Sequence, residues 1–302
     1  MNAVDSSNAY ADQKVFVPGP YDGRFWTLWN WIVIPTLVAV TIAFRLVRLV
    51  RWPWVLVSYW LMITGATLGF HRYFSHASFK TSRPFQFLLG LLGCYSGQTG
   101  PISWELTHRD HHRLCEVDGD PHSIHGGFWH AHGFFLWDYP ARWTDFRRSK
   151  WAKYPEIVWL EKWAPALYYL FGGAIFLVTG FVGMVWYWLV PTFISWNVTM
   201  LVNSWAHSWG RYDFKDVHQP DACKARNLAW ATPLLMGDNW HNNHHAYPTS
   251  AWQGWAWWQV DPNGRIIWLL EKIGVVWDPV KPSRKVLEKA KVADAEVPSF
   301  AE

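Results

Sequence analysis

Long uncharged stretches alternate with polar ones along this chain, and the alternation predicts its architecture. From Trp26 to Phe44, WTLWNWIVIPTLVAVTIAF carries no acidic or basic side chain. As a helix it is long enough to cross about 30 Å of hydrocarbon. A basic segment, RLVRLVRW, follows, and then PWVLVSYWLMITGATLGF from Pro53 to Phe70, again uncharged, ending at His71. Between Trp163 and Ser204 there is no Asp, Glu, Lys, Arg or His at all, a length that suits two spans of about twenty residues each. The turn between them is expected near Gly183 to Pro191. The stretch from Phe85 to Pro101, FQFLLGLLGCYSGQTGP, starts apolar but is short and interrupted by four glycines and Gln98. It predicts a buried or partly embedded helix, not a span.

The predicted fold class is therefore an all-α integral membrane protein, with four transmembrane helices in two hairpins beneath a cytosolic, histidine-rich helical cap. Residues 1–25 form the N-terminal tail, 26–70 the first hairpin and 163–206 the second. Residues 71–162 and 207–302 form the cap. Composition agrees: 51% of residues are hydrophobic, and 26 are tryptophan, a ring that concentrates at membrane interfaces. Segments 71–162 and 207–302 carry 11 Lys and Arg each, against 3 in the 45–52 loop, which puts the polar bulk in the cytosol. A net charge of +4, spread thinly, gives no nucleic-acid signal. The first twenty-five residues have no apolar core and predict no cleavable signal peptide. Cys94, Cys115 and Cys223 are odd in number and widely spaced, and are expected to be free thiols in a reducing compartment.

The polar segments concentrate histidine. HRYFSH places His71 and His76 at the end of the second span; HRDHH supplies His108, His111 and His112; HNNHH supplies His241, His244 and His245. In each triplet the offsets 0, 3 and 4 bring the rings to one face of a helix. Neutral imidazole is the commonest side-chain metal ligand, and residues one turn apart can share an ion. One such triplet would be an ordinary polar helix face. Two triplets and an HxxxxH on one membrane side exceed what a single tetrahedral zinc takes. They suit two ions with open positions, and iron is the metal fitted to oxygen chemistry. Asn203 and His207, one turn apart at the end of the fourth span, extend the set to nine histidines and an amide that can orient a water. Within the blocks, Asp110 is expected to face away toward solvent or an arginine. Asn242 and Asn243 are expected on the outward side of their turn, with Trp240 as an anchor near the bilayer. His125, His130 and His218 are assigned to the interface or surface.

The order HxxxxH, HxxHH, NxxxH, HxxHH, interleaved with two hairpins, resembles the membrane fatty-acid desaturases of the stearoyl-CoA and cyanobacterial delta-9 type. THRDHH, DGDPHS, LVNSWAH and NWHNNHHAYP carry the resemblance, which runs from about Thr64 to Asp278. It implies two iron ions on the cytosolic face, held by His71, His76, His108, His111, His112, His207, His241, His244 and His245, with Asn203 reaching iron through a water. How the ligands divide between the irons stays open. It further implies that Gln98, Trp104 and Thr199 shape a bent acyl tunnel, against which stands the plainer reading that Trp104 and Thr199 only pack nearby. His122 and His132 would support ligands through hydrogen bonds. Where the acyl-CoA enzymes of animals carry polar or basic residues, this chain has Leu106, Thr107, Tyr139 and Pro140. SWELTHRDHH is closer to the cyanobacterial and plant forms. The long-chain acyl substrate is thus linked to lipid, CoA or a carrier protein. With no H-P-G-G heme motif in the chain, the electron donor is expected to be separate, a ferredoxin or a b-type cytochrome.

The implied reaction is the insertion of a cis double bond, at the delta-9 position, using dioxygen and two electrons. Hydroxylation, acetylenic bond formation or terminal desaturation at the same centre are the near alternatives. A non-catalytic metal-binding or transport protein is the distant one, and it would place histidines along the spans instead of at their ends.

Overall fold

The computed structural model describes residues 14–15, 23–138, 144–145, 148–292 and 297. Most of the N-terminal tail, the end of the C-terminal tail, and Tyr139 and Pro140 lie outside the described residues.

Helices dominate. A helical path runs from Gly23 to Ala43 with a π-helical turn at Trp29–Val33. The Trp52–Thr64 helix continues directly into a π-helical stretch, Gly65–Ser75, making 24 residues whose most apolar 18 have a mean hydropathy of 1.3. A third path, Pro155–Ser204, covers 50 residues, and its most apolar 18 have a mean hydropathy of 1.8. Among the described residues, these last two are long and apolar enough to cross a membrane. The third path breaks at Gly180, whose φ of 71° and ψ of −171° leave the helix. Glycine tolerates that backbone because it has no Cβ to clash. Gly172 lies against Trp188, and the Tyr168 hydroxyl donates to Thr192 at 3.2 Å. Both pairs are equidistant from Gly180, so the chain folds back there and not between Gly183 and Pro191.

The two turns lie together. Arg51 donates its backbone N–H to the Tyr187 hydroxyl at 2.9 Å, and Trp186 Nε1 donates to Thr41 at 3.1 Å. The histidines gather at the opposite end of these helices. The Arg83–Tyr95 helix is only 13 residues long, about 20 Å at the α-helical rise, too short to span. It packs as an inner helix so closely that a Cβ on Gly65 would sit 2.2 Å from Leu92 O, and one on Gly69 2.7 Å from Leu89 O.

Two short antiparallel ladders tie distant segments together. Lys14–Val15 pairs with Thr144–Asp145, and Lys80–Thr81 pairs with Val276–Trp277. The second fastens the chain just after His76 to the region beyond the last histidine block. Beneath it lies an apolar cluster that includes Phe70, Phe74, Phe79, Trp151 and Ile267. That cluster backs the segment carrying His71.

Candidate metal centre

Four chain segments deliver nine imidazoles to two adjoining groups. His71, His76, His108, His112 and His244 form the first; His111, His207, His241 and His245 form the second. Within each group the ligand atoms lie within 4.8 Å of one another. Both triplets split the same way. His108 and His112, and likewise His241 and His245, are four residues apart and share a group. The histidine at the third offset, His111 or His244, crosses to the other group. A step of four residues advances about 400° around an α-helix, and a step of three about 300°. The difference aims the third ring at the neighbouring site, so each short helix braces both groups.

HxxxxH needs a different backbone. On an α-helix, residues five apart point about 140° away from each other. In the π-helical stretch Gly65–Ser75 the pattern is i to i+5, and His76 N–H donates to His71 O at 3.3 Å. The two rings then stand 5.0 Å apart, centre to centre, and belong to one group.

The nitrogen geometry fits metal ions. In the first group Nε2 atoms face each other at 2.9 Å for His71 and His244, and at 2.8 Å for His244 and His112. The spacing is 3.0 Å for His112 and His108, and 2.9 Å for His108 and His76. Two nitrogens bound about 2.1 Å from one ion at a right angle lie about 3 Å apart, whereas a tetrahedron would separate them further. In the second group His207 and His241 face each other at 3.0 Å, while His111 Nε2 and His245 Nε2 are buried with no hydrogen-bond partner. Buried imidazole nitrogens without partners are costly unless something else binds them. Burial, reinforced by neighbouring imidazoles, pushes His76, His108, His112, His241, His244 and His245 well below the ordinary histidine range. They are therefore neutral at pH 7, the state in which imidazole ligates.

Carboxylates behind the rings fix their direction. Nδ1 of His71 meets Asp238 at 2.6 Å, that of His111 meets Asp120 at 2.9 Å, that of His207 meets Glu116 at 2.9 Å and that of His245 meets Asp216 at 2.8 Å. An Nδ1–H donated to a carboxylate leaves the Nε2 lone pair free for a metal and raises its basicity. Burial opposes ionisation of Asp120, but the adjacent His111 outweighs it and holds this carboxyl far below the usual range. The sequence reading had not assigned these acids. Glu116 and Asp120 follow the second block closely enough to have been a signal, and Asp238 precedes the third by three residues. Asp216 gives no local cue.

Of the remaining expected residues, Trp104 and His122 lie against the groups and His132 does not. Gln98 donates to the Thr199 hydroxyl at 3.0 Å, and Trp104 stacks on His108 with centroids 4.8 Å apart and rings inclined by 26°. His122 lies 4.1 Å from the His111 ring, its backbone N–H on Asp120. His132 is turned elsewhere, with Nδ1 2.9 Å from the Ser204 hydroxyl and its ring on Phe128. Asn203 directs its amide at the Met200 sulfur, 3.7 Å away. Asp110 pairs with Arg113 and Arg148, as its position predicted.

Three expectations are corrected. Cys115 and Cys223 are joined in a disulfide across 108 residues, and only Cys94 is a free thiol. No local spacing could have paired them: one closes the Pro101–Leu114 ligand helix, the other lies in the loop before the third block. Trp240 is not a bilayer anchor but a fully enclosed residue whose Nε1 donates to Val260 O at 2.7 Å. Asn242 and Asn243 do face away from the imidazoles, yet they face into protein. Asn242 accepts from Asp213 and Phe214 N–H and donates to Phe214 and Ala225 carbonyls, while Asn243 donates to Gln253 O and Gln259. The turn bearing the third block is thus pinned by its own asparagines.

The chain is similar to known proteins over most of its length. Residues 46–274 match the family model described as fatty acid desaturase. Among curated relatives, the hex-5-enoyl-(acyl-carrier protein) acetylenase of Moorena producens is 34% identical over 262 residues, covering 79% of this chain and 79% of the relative. The sn-1 stearoyl-lipid 9-desaturase of Anabaena variabilis is 35% identical over 225 residues, covering 73% and 80%. Delta-9 acyl-lipid desaturase 1 of Arabidopsis thaliana is 32% identical over 237 residues, covering 76% and 74%.

Proposed function

The chain belongs to the fatty acid desaturase family and is an oxidoreductase, and from that premise we propose that it inserts a cis double bond at the delta-9 position of a long acyl chain. The observation that carries this reading is the pair of adjoining imidazole groups, each backed by hydrogen-bonded carboxylate. Two irons fit them. The nine histidines would hold the ions, and Asn203, on turning its amide from the Met200 sulfur, would contribute through a water. When bound, the irons supply the activation of dioxygen that removal of hydrogen from an unactivated methylene pair requires. The overall reaction consumes dioxygen, two electrons and two protons, and releases the alkene and two waters.

The protein's part is to hold and exclude. Nδ1 bonds to Asp238, Asp120, Glu116 and Asp216 keep the rings from turning. Trp104 lies flat on His108, giving the acyl chain a wall beside the first group. In a bent acyl tunnel, the Gln98–Thr199 bond would form a polar crosslink at the kink that selects the reacting carbons. His122 steadies His111 from the side, and His132 supports the end of the last span through Ser204. Four transmembrane helices in two hairpins, with the cap on the cytosolic side, accord with both turns lying together opposite the histidines. The substrate is an acyl-lipid, with acyl-CoA and acyl-carrier protein as the other carriers, and the electrons come from a separate ferredoxin or b-type cytochrome.

A second reading has one specific support, the similarity to an acetylenase. The same centre would then act on an existing double bond. Expression in a host lacking unsaturated fatty acids separates the two. A new cis-monoene in the fatty-acid profile supports desaturation, a triple bond from a supplied alkene supports the second reading, and a profile with neither overturns both.

A further inference from the structure

The histidine blocks leave one charged group unexplained. Arg72, between His71 and the rest of the first block, is entirely buried, with a relative exposure of 0%. A guanidinium has five N–H donors, and all five are used here. Nε donates to Asp238 at 3.3 Å, and Nη2 donates to Asp238 at 3.1 Å and to Asp261 at 2.9 Å. Nη1 donates to Asp261 and to Ala251 O, both at 2.9 Å. Both carboxylates lead back to ligands of the first group. Asp238 accepts from His71 Nδ1 at 2.6 Å. Asp261 accepts the backbone N–H of Gln253 at 2.7 Å, and the Gln253 amide lies 3.2 Å from His244 Nδ1. Oriented with its oxygen toward His244, that amide also donates to Asp238 at 3.1 Å. His71 and His244, whose Nε2 atoms face each other, are thus held from behind by one closed network centred on Arg72.

We propose that Arg72 is a positioning residue for the five-histidine site, acting through Asp238 on His71 and through Asp261 and Gln253 on His244. This rests on the proposed iron centre. The second group shares none of this network; its acids contact no arginine side chain among the hydrogen bonds of the described residues. Loss of the guanidinium leaves two buried carboxylates facing each other and frees Asp238 to swing from His71. A lysine, with three donors on one nitrogen, cannot span both acids.

The test is iron stoichiometry and Mössbauer spectroscopy of full-length protein grown on iron-57, comparing wild type with Arg72→Lys and Asp261→Asn. The wild type is expected to carry both irons. Each variant is expected to lose iron from the five-nitrogen site by the 10–100-fold drop in affinity typical of such supports, so that its signal fades while that of the second site stays. Two unchanged sites in the variants would overturn the inference. So would loss of both signals in proportion to the loss of folded protein, which would make Arg72 a general fold residue; Asp261→Asn, which leaves every ligand and the guanidinium in place, guards against a lysine variant that does not fold. A wild type without iron would instead overturn the underlying reading of the centre.

Discussion

The two imidazole groups share helices and differ in what stands behind them. Among the described residues, the first has five histidines but only one carboxylate contact, from Asp238, and that acid is neutralised in part by Arg72. The second has four histidines and three carboxylates, Asp120, Glu116 and Asp216, with the Cys115–Cys223 disulfide alongside. A carboxylate on Nδ1 makes an imidazole a stronger donor, so the second site compensates in basicity for what it lacks in ligand number. The first is held by number and by a rigid ion-pair network. Two nearby sites on the same pair of helices would therefore hold a metal by different physical means.

The largest effect tests whether both sites are needed. His244→Ala removes a first-group ligand and His111→Ala a second-group one. Each is expected to abolish turnover in a fatty-acid profile while membrane insertion persists. Activity surviving in one alone would show that the two groups are not equal partners. Next, Asp120→Asn and Asp216→Asn keep every ligand but remove the anionic support. Each is expected to weaken iron binding at the second site by 10–100-fold, measured by chelator titration, with the first site unaffected. Equal loss from both sites would erase the distinction drawn above.

Packing gives a smaller effect at the first site. Gly65→Ala sets a methyl 2.2 Å from Leu92 O, an overpacking that costs roughly 1–3 kcal/mol. It is expected to push the Arg83–Tyr95 helix off the π-helical stretch and lower both thermal stability and first-site iron. The smallest effect on turnover is expected from Cys115→Ser with Cys223→Ser. A closed loop of about 100 residues is worth ~4.7 kcal/mol in the chain-entropy picture. The change should therefore appear in the temperature of thermal inactivation before it appears in iron content or product.

Much of this centre was legible in the chain. The nine histidines sit in blocks beside the apolar stretches, and the gap without charge from Trp163 to Ser204 was long enough to require a fold-back. Both depend on periodicity and hydropathy, which act within a segment and so are written in consecutive residues. The position of the turn was misjudged because Gly180 and Gly183 look alike in sequence. The non-helical backbone at Gly180 and the pairing of Tyr168 with Thr192 and Gly172 with Trp188 distinguish them.

What the residues alone determined is the donor set: which side chains are available, at which end of the apolar helices, and with what chemistry. The tertiary structure decided how that set divides. Three- and four-residue steps around a helix send His111 and His244 across to the other group, a π-helical backbone turns a spacing of five into a shared face, Asp216 and Cys223 reach the site from outside the histidine blocks, and Arg72 and Asp238, each in or beside a block, are paired only by the fold. The physical reason is that ligand type is a property of one residue. The direction of a lone pair depends on backbone geometry and on partners brought in by long-range packing.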